Sequence, residues 1–243
     1  MRAREVLRRM NALPLCSVAD LAGAGGLLVL APHPDDETLG CGALIAAARA
    51  EGRGVTIVVV SDGTGSHPRS ADWAPSSLRR LRHDEACQAA EALGVEPGAL
   101  HFLDLPDRRV PEGDAVFETA CRTIAGLADA TKATALFATW RQDPHCDHQA
   151  TWSMGVEVAR RKPAMRLWAY PVWGWTLPPD EDAGPPPDGC RFPAAAFLDR
   201  KARALGAYRS QMGAVVTDDP SGFTLPPDLL ALAARPFEAY LRP

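Results

Sequence analysis

The sequence predicts an α/β fold with a mostly parallel sheet covered by helices on both faces. Apolar runs rich in β-branched residues recur along the chain, and stretches with helical periodicity separate them. Continuous apolar strands that alternate with helices are typical of a buried parallel sheet. No internal repeat interrupts this alternation, and 243 residues can bury one sizeable core. We therefore expect a single domain over residues 1–243.

Five strands and four helices account for this prediction. The expected strands cover residues 26–31, 54–60, 99–103, 133–140 and 165–173. The expected helices cover residues 38–52, 78–95, 113–130 and 147–161, and Gly94 suits the C-terminal cap of the second helix. Turn-forming residues make segments 64–77 and 176–193 loops. Loops of this length in a compact domain are either tolerated surface insertions or lids and binding surfaces.

Composition excludes several classes of function. A formal charge of −4 argues against an extended nucleic-acid interface, which needs a basic face. The N-terminus is locally basic, but no apolar run of signal-peptide length follows it, and no stretch approaches a transmembrane span. We therefore expect a cytoplasmic chain without a membrane span. The six cysteines are scattered and form no C-x-x-C pair, so we expect reduced thiols.

Two polar clusters carry the chemistry. "HPDDE" (33–37) follows the first predicted strand, and "HCDH" (145–148) follows the fourth. Ligands of an open parallel sheet bind beyond the carboxyl ends of its strands, so both clusters are expected at one edge. Carboxylates this close together require a compensating cation or proton. By contrast, "LAGAGG" (21–26) precedes a strand and does not fit a dinucleotide site, whereas "GCG" (40–42) suits close packing on the sheet.

The two clusters together contain a metal-ligand set. His33, Asp36 and His148 supply two imidazoles and one carboxylate, which suits a catalytic Zn²⁺ with its fourth position open for water. Fe²⁺ or another divalent metal accepts the same set. Asp35, beside the first ligand pair, is the candidate general base for metal-activated water. His145 is the candidate imidazolium that stabilises an oxyanion and protonates the leaving amine.

The second cluster leaves two further questions. Asp147 is expected to cap the helix that carries His148, and it is a candidate for orienting His145 or the substrate. Cys146 is a conceivable alternative ligand. The sequence does not reveal whether Cys146 and Cys41 approach each other or the metal.

The same residues resemble the PIG-L/LmbE-like family of metal-dependent N-deacetylases, which act mainly on N-acetylglucosamine-type substrates. The family motif A-H-P-D-D-E is similar to "APHPDDE" (31–37), although Pro32 is inserted, and H-x-D-H matches "HCDH". Further similar segments are "TLGCGALIA" (38–46), "VVSDG" (59–63), "RHDEACQAAEALGV" (82–95), "FLDLPD" (102–107) and "KARALGAYRSQ" (201–211). The resemblance implies a Rossmann-like three-layer sandwich and the possibility of a homo-oligomer.

Site roles also follow from this resemblance. It implies that His33, Asp36 and His148 bind zinc, that Asp35 is the base, and that His145 is the electrophilic imidazolium. Two substrate-binding positions, Arg82 and Asp107, match family residues that reach the sugar or its substituents. Aromatic faces suit the apolar side of a pyranose, and the candidates are Trp73, Trp173 and Trp175.

One departure concerns Asp143, which stands where some relatives carry a tyrosine that assists the substrate carbonyl. Substrate positioning is therefore expected to differ from those relatives. The leading hypothesis is a zinc-dependent hydrolase that removes an N-acetyl group from an amino-sugar-containing small molecule. One alternative is an amidase for a larger amide, such as a thiol conjugate or a glycopeptide. Another is a metal-binding module without hydrolysis.

Overall fold

A seven-stranded sheet organises the computed structural model, which describes residues 1–243. The strands are β1 (Gly26–Ala31), β2 (Val55–Ser61), β3 (Leu100–Leu105), β4 (Ala133–Thr139), β5 (Arg166–Tyr170), β6 (Gly189–Pro193) and β7 (Phe237–Leu241). Their order is β3-β2-β1-β4-β5-β7-β6, and all neighbouring pairs are parallel except those that involve β7. The predicted α/β fold with a mostly parallel sheet is therefore confirmed.

Helices cover both faces of this sheet. They are α1 (Ala3–Met10), α2 (Val18–Ala22), α3 (Asp36–Ala50), α4 (Pro75–Ala92), α5 (Ala115–Thr131), α6 (Cys146–Arg161), α7 (Leu198–Ala207) and α8 (Pro227–Ala233). Along β1, Leu27 and Val29 pack in the core beneath α3, α4 and α7, whereas Leu28 and Leu30 face the core beneath α5 and α6. Alternate side chains of one strand thus enter two cores, which explains why the strand is apolar throughout.

All five predicted strands and all four predicted helices are present, with ends that differ by up to three residues. The fifth strand ends at Tyr170 because Pro171 follows it. The prediction of a loop over 176–193 is wrong at its end, where β6 forms. β6 is a short edge strand that ends in proline, and its only partner strand is β7. Neither strand was predicted, because neither has a strong local pattern of strand residues.

Two further sequence predictions concern the cysteines and membrane-spanning helices. All six cysteines are free thiols, as expected. No helix is both long enough and apolar enough to cross a bilayer.

The order in which strands are added to the sheet reverses at β1. The chain first places β2 and β3 on one side of β1 and then places β4 and β5 on the other side. Such a switch point leaves a crevice beyond the carboxyl ends of the two diverging strands. "HPDDE" leaves β1 at this end and enters α3, and "HCDH" lies between β4 and α6. The topology therefore brings the two polar clusters to one crevice.

Close packing holds α3 against the sheet. An added Cβ at Gly40 would lie 2.1 Å from the ring of Tyr170, whose hydroxyl donates to the carbonyl of Leu30 at 2.6 Å. At Gly42 it would lie 3.0 Å from the Lys201 side chain. These distances confirm the prediction that "GCG" permits close packing.

A buried ion pair fixes the middle of the same helix. Glu238 of β7 accepts from the main-chain N–H groups of Ala43 and Leu44 at 2.8 and 2.9 Å. Lys201 of α7 donates to the carbonyl of Leu39 and to Glu238, both at 2.8 Å. Residues that follow their partners in α3 by 162 to 195 positions thus hold this helix in place.

The Gly40→Ala variant is expected to lower the free energy of unfolding by about 1–3 kcal/mol, because the new methyl group overlaps the Tyr170 ring. Gly126→Ala is the matched control, since Gly126 lies on the exposed side of α5 with nothing within 4 Å of an added Cβ. That change should raise stability by up to about 1 kcal/mol through helix propensity. Urea unfolding measures both values, and equal stabilities of the two variants would contradict the packing described here.

Candidate metal centre and its cavity

The two motifs meet around one carboxylate oxygen. His33 Nδ1 lies 3.0 Å and His148 Nε2 lies 3.3 Å from Oδ2 of Asp36. Tetrahedral zinc with bonds of about 2.0–2.1 Å spaces its ligand atoms by about 3.3 Å. His148 Nε2 is also buried without a hydrogen-bond partner, as expected for an atom that binds an ion. The three residues therefore fit a divalent metal.

A second carboxylate lies behind each of the two imidazoles. Asp143 Oδ2 is 2.9 Å from His148 Nδ1, and Asp147 Oδ2 is 3.1 Å from His33 Nε2. Asp107 Oδ1 also approaches His33 Nε2, at 3.3 Å. A carboxylate only accepts, so each ring donates from that nitrogen and presents the other nitrogen toward Asp36. Such carboxylate–histidine pairs orient metal ligands and raise their basicity.

Electrostatics favour charged forms in this cluster. Burial lowers the pKa of His148, but Asp36 and Asp143 outweigh it and raise that pKa to about 9. Burial opposes ionisation of Asp36, yet the imidazoles of His148 and His33 hold its pKa below the usual range. Carboxylate and imidazole groups thus stabilise one another's charges, and a divalent cation would replace the imidazole protons.

The structure corrects the expected role of Asp147 as a helix cap. His145 is the N-cap of α6, and its Nδ1 accepts the main-chain N–H of Asp147 at 3.2 Å. The Asp147 carboxylate instead accepts from the N–H groups of Arg108 and Val110, at 2.6 and 3.1 Å, and from His33. Asp147 therefore orients His33 through its carboxylate and His145 only through its main chain.

His145 lies beside both metal-ligand imidazoles, with ring centroids 4.8 Å from His33 and 5.2 Å from His148. Burial, together with the charges of these two rings, lowers the pKa of His145 to about 4. Its Nδ1 already accepts a hydrogen bond, so the ring proton is on Nε2. Nε2 is therefore the nitrogen of His145 that can donate a hydrogen bond.

Asp35 occupies a strained backbone conformation at the start of α3, with φ of +137°. Its main-chain N–H donates to Glu37 Oε2 at 3.1 Å, and Arg82 donates to the carbonyl of Pro34 at 2.6 Å. Burial raises the pKa of the Asp35 carboxyl well above its usual value, although the charge of Arg82 opposes this. The sequence analysis assigned no role to Glu37, which is buried and also accepts from Thr38 and Tyr208.

The two predicted substrate-binding residues lie on one wall of the crevice. Arg82 is buried, and besides Pro34 its guanidinium contacts the carbonyl of Gly63 at 3.2 Å and Asp35 Oδ2 at 3.4 Å. Asp107 accepts from the N–H of Gly65 at 2.8 Å. Both residues line the cavity. Their hydrogen bonds also connect the loop after β2 to the motif, through Asp35 in the case of Arg82 and through His33 in the case of Asp107.

The cavity encloses about 200 Å³ next to the metal-ligand set. One water occupies about 30 Å³ of liquid, so an organic molecule has room there beside an ion and its water. Trp173 and Phe223 form an aromatic wall, with ring centroids 5.8 Å apart. Of the three tryptophans considered from sequence, only Trp173 lines this cavity; Trp175 instead packs beneath the guanidinium of Arg235.

Asp143 is, with Glu37, a residue whose role the sequence analysis missed. It does not line the cavity but is fully buried behind His148. This role could have been predicted from the position of Asp143 five residues before His148, from which a carboxylate can reach Nδ1 of the ring. The two cysteines near the motifs have different environments. Cys41 is buried in α3, whereas Cys146 is exposed and its thiol donates to the carbonyl of Arg108.

Comparison with known proteins places this geometry in context. The chain is 33% identical over 106 residues to a 1D-myo-inositol 2-acetamido-2-deoxy-alpha-D-glucopyranoside deacetylase of Kineococcus radiotolerans, covering 42% of this chain and 29% of that protein. It is 29% identical over 172 residues to a protein of the same name from Nocardia farcinica, covering 63% and 57%. The chain thus spans less than two thirds of the length of either relative.

A solved structure and a family model complete the comparison. The crystal structure of a conserved protein from Thermus thermophilus superposes with a TM-score of 0.65 at 25% identity, covering 89% of this chain and 94% of that one. The family model described as PIG-L, GlcNAc-PI de-N-acetylase, matches residues 28–159, more than half of the 243 residues. That match begins within β1 and ends within α6, so it includes both motifs of the crevice. The chain belongs to the PIG-L family.

Proposed function

We propose that this chain is a metal-dependent deacetylase that removes an N-acetyl group from an amino-sugar-containing small molecule. The observation that carries the proposal is the position of Asp35. A buried carboxylate with a raised pKa lies next to the His33–Asp36–His148 set and opens on a cavity with an aromatic wall. The names of the two relatives support the substrate class, since both describe deacetylation of a 2-acetamido sugar.

The proposed metal ligands are His33 Nδ1, Asp36 Oδ2 and His148 Nε2. Their mutual spacing and the unpartnered Nε2 support this set, and two imidazoles with one carboxylate suit Zn²⁺ or Fe²⁺. A divalent ion at this position would polarise an amide carbonyl and lower the pKa of a bound water to about 7.

Asp35 is the proposed general base. Its raised pKa makes it a better proton acceptor near neutral pH than an ordinary carboxylate. It takes a proton from the attacking water and returns that proton to the amide nitrogen, so that the free amine and acetate leave. Arg82 and Glu37 keep the carboxylate in place through Pro34 and the Asp35 main chain.

His145 is the proposed donor to the substrate carbonyl oxygen. Its Nδ1 accepts the N–H of Asp147, so Nε2–H is free to donate as negative charge develops on that oxygen. A neutral imidazole suffices for this donation, and the imidazolium expected from the sequence stays a prediction. Proton delivery to the leaving amine then belongs to Asp35.

Arg82, Asp107 and Trp173 are the proposed substrate-binding residues. Asp107 remains ionised, because hydrogen bonding to His33 outweighs its burial and lowers its pKa, so it accepts from sugar hydroxyls. Arg82 supplies a cation at the inner wall, and Trp173 offers an apolar face for a pyranose ring. Residues from His33 to Leu225 line this one cavity, which supports a single catalytic unit over residues 1–243.

The ligand assignment makes a prediction that separates it from a three-histidine site. The nitrogens of His33, His145 and His148 also lie within 4.8 Å of one another, so both sets are geometrically possible. Asp36→Asn should weaken zinc binding at least 10-fold, whereas His145→Ala should leave the dissociation constant within about threefold. Competition with a chromophoric chelator measures both values. Loss of zinc in His145→Ala with retention in Asp36→Asn would replace the proposed set.

The catalytic assignment predicts that Asp35→Ala binds zinc as wild type does but releases acetate from an N-acetylglucosamine glycoside at least 10³-fold more slowly, since the base is lost. Acetate release is measured on zinc-loaded protein, and removal of zinc with a chelator should abolish wild-type turnover until zinc is restored. Zinc binding without turnover in the wild type would redirect the search to a larger amide. Full turnover in Asp35→Ala would exclude this residue as the base.

A further inference from the structure

One buried carboxylate joins a proposed metal ligand to the turn that carries the aromatic wall. Asp143 is 0% exposed, and its side chain takes part in four hydrogen bonds. Three come from the main-chain N–H groups of Val172, Trp173 and Gly174, at 3.0, 3.1 and 2.6 Å. The fourth partner is His148 Nδ1, at 2.9 Å.

One oxygen of the Asp143 carboxylate contacts both the proposed metal ligand and the turn. Oδ2 serves His148, Val172 and Trp173, whereas Oδ1 serves Gly174. A carboxylate has no proton to give, so His148 must donate from Nδ1, and Nε2 is the nitrogen that is left to bind an ion in place of a proton. The same oxygen therefore fixes the tautomer of the ligand and the position of the turn.

The turn matters because it places Trp173. The short 3₁₀ turn Trp173–Thr176 follows β5, and the Trp173 ring lines the cavity against Phe223. Gly174 allows the main chain to approach the carboxylate, since an added Cβ would lie 2.5 Å from Asp143 Oδ1 and 2.4 Å from the Trp140 ring. The distance between the aromatic wall and the metal-ligand set is thus defined through Asp143.

We propose that Asp143 is a positioning residue that couples metal ligation to the substrate wall. Altering its carboxylate should weaken metal binding and substrate binding together, and disturbing the turn should weaken metal binding from a distance. The substrate half of this proposal rests on the proposed function. The metal half does not, because zinc affinity is measured without turnover.

The first test compares Asp143→Asn with Glu238→Gln. Glu238 is a matched control, since it is another buried carboxylate that accepts from two main-chain N–H groups, a cation and a hydroxyl, but it contacts no proposed ligand. The dissociation constant for zinc, from chelator competition below the unfolding transition, should rise about 10- to 100-fold in Asp143→Asn. In Glu238→Gln the unfolding temperature should fall while the zinc constant stays within about twofold of wild type.

The second test acts from the turn. Gly174→Ala replaces neither a ligand nor Asp143, yet its methyl group must displace the carboxylate or the turn. Its zinc dissociation constant should rise at least threefold, and in a catalytically active protein the KM for an N-acetylglucosamine glycoside should rise in both Asp143→Asn and Gly174→Ala.

Several results would overturn the proposal. A wild-type zinc constant in Asp143→Asn removes the ligand role, and a wild-type constant in Gly174→Ala removes the coupling. Equal weakening of zinc binding in Glu238→Gln would mean that any buried carboxylate has the same effect. An absence of turnover in the wild type counts against the proposed function alone, because the zinc constants still decide the coupling.

Discussion

The structure around the crevice is governed by the need to compensate buried negative charge. Five carboxylates converge beyond the carboxyl ends of β1 and β4: Asp35, Asp36, Asp107, Asp143 and Asp147. Ionised groups removed from water are costly unless they are paired or hydrogen-bonded. Each of these aspartates has a different set of partners, and the neighbouring loops adopt the conformations that supply those partners. The loops after β2, β3 and β5 all direct main-chain N–H groups or carbonyls toward this cluster.

Backbone strain in the crevice follows from the same requirement. Asp35 and Arg108 both have positive φ values, of +137° and +64°, which cost free energy for residues other than glycine. At Arg108 the conformation is held by the N–H donated to Asp147, and at Asp35 it is held by Glu37. At both residues a main-chain hydrogen bond to a buried carboxylate therefore offsets the strain.

The sequence was sufficient to locate the site but not to describe its support. Both motifs were placed correctly because the carboxyl ends of parallel strands share one edge, a rule that needs only strand positions. The cap assigned to Asp147 was wrong because capping preference is local, whereas this carboxylate is satisfied by Arg108 and Val110, more than 35 residues earlier in the chain. The partners of Asp143 likewise lie about 30 residues away, in a turn without periodicity. The strands β6 and β7 were missed for a related reason, since β7 pairs with β5 and β6, which are distant from it in the chain.

The clamp on α3 by Glu238 has a consequence for the order of folding. Ala43 and Glu238 are separated by 195 positions, and contacts between such distant residues close a long loop at an entropic cost before they contribute stability. We therefore expect the contacts that lock α3 against β7 to form late in folding. The support of α3 by Glu238 is therefore completed only after β7 has entered the sheet, and the stability that this clamp contributes is gained at the end of folding.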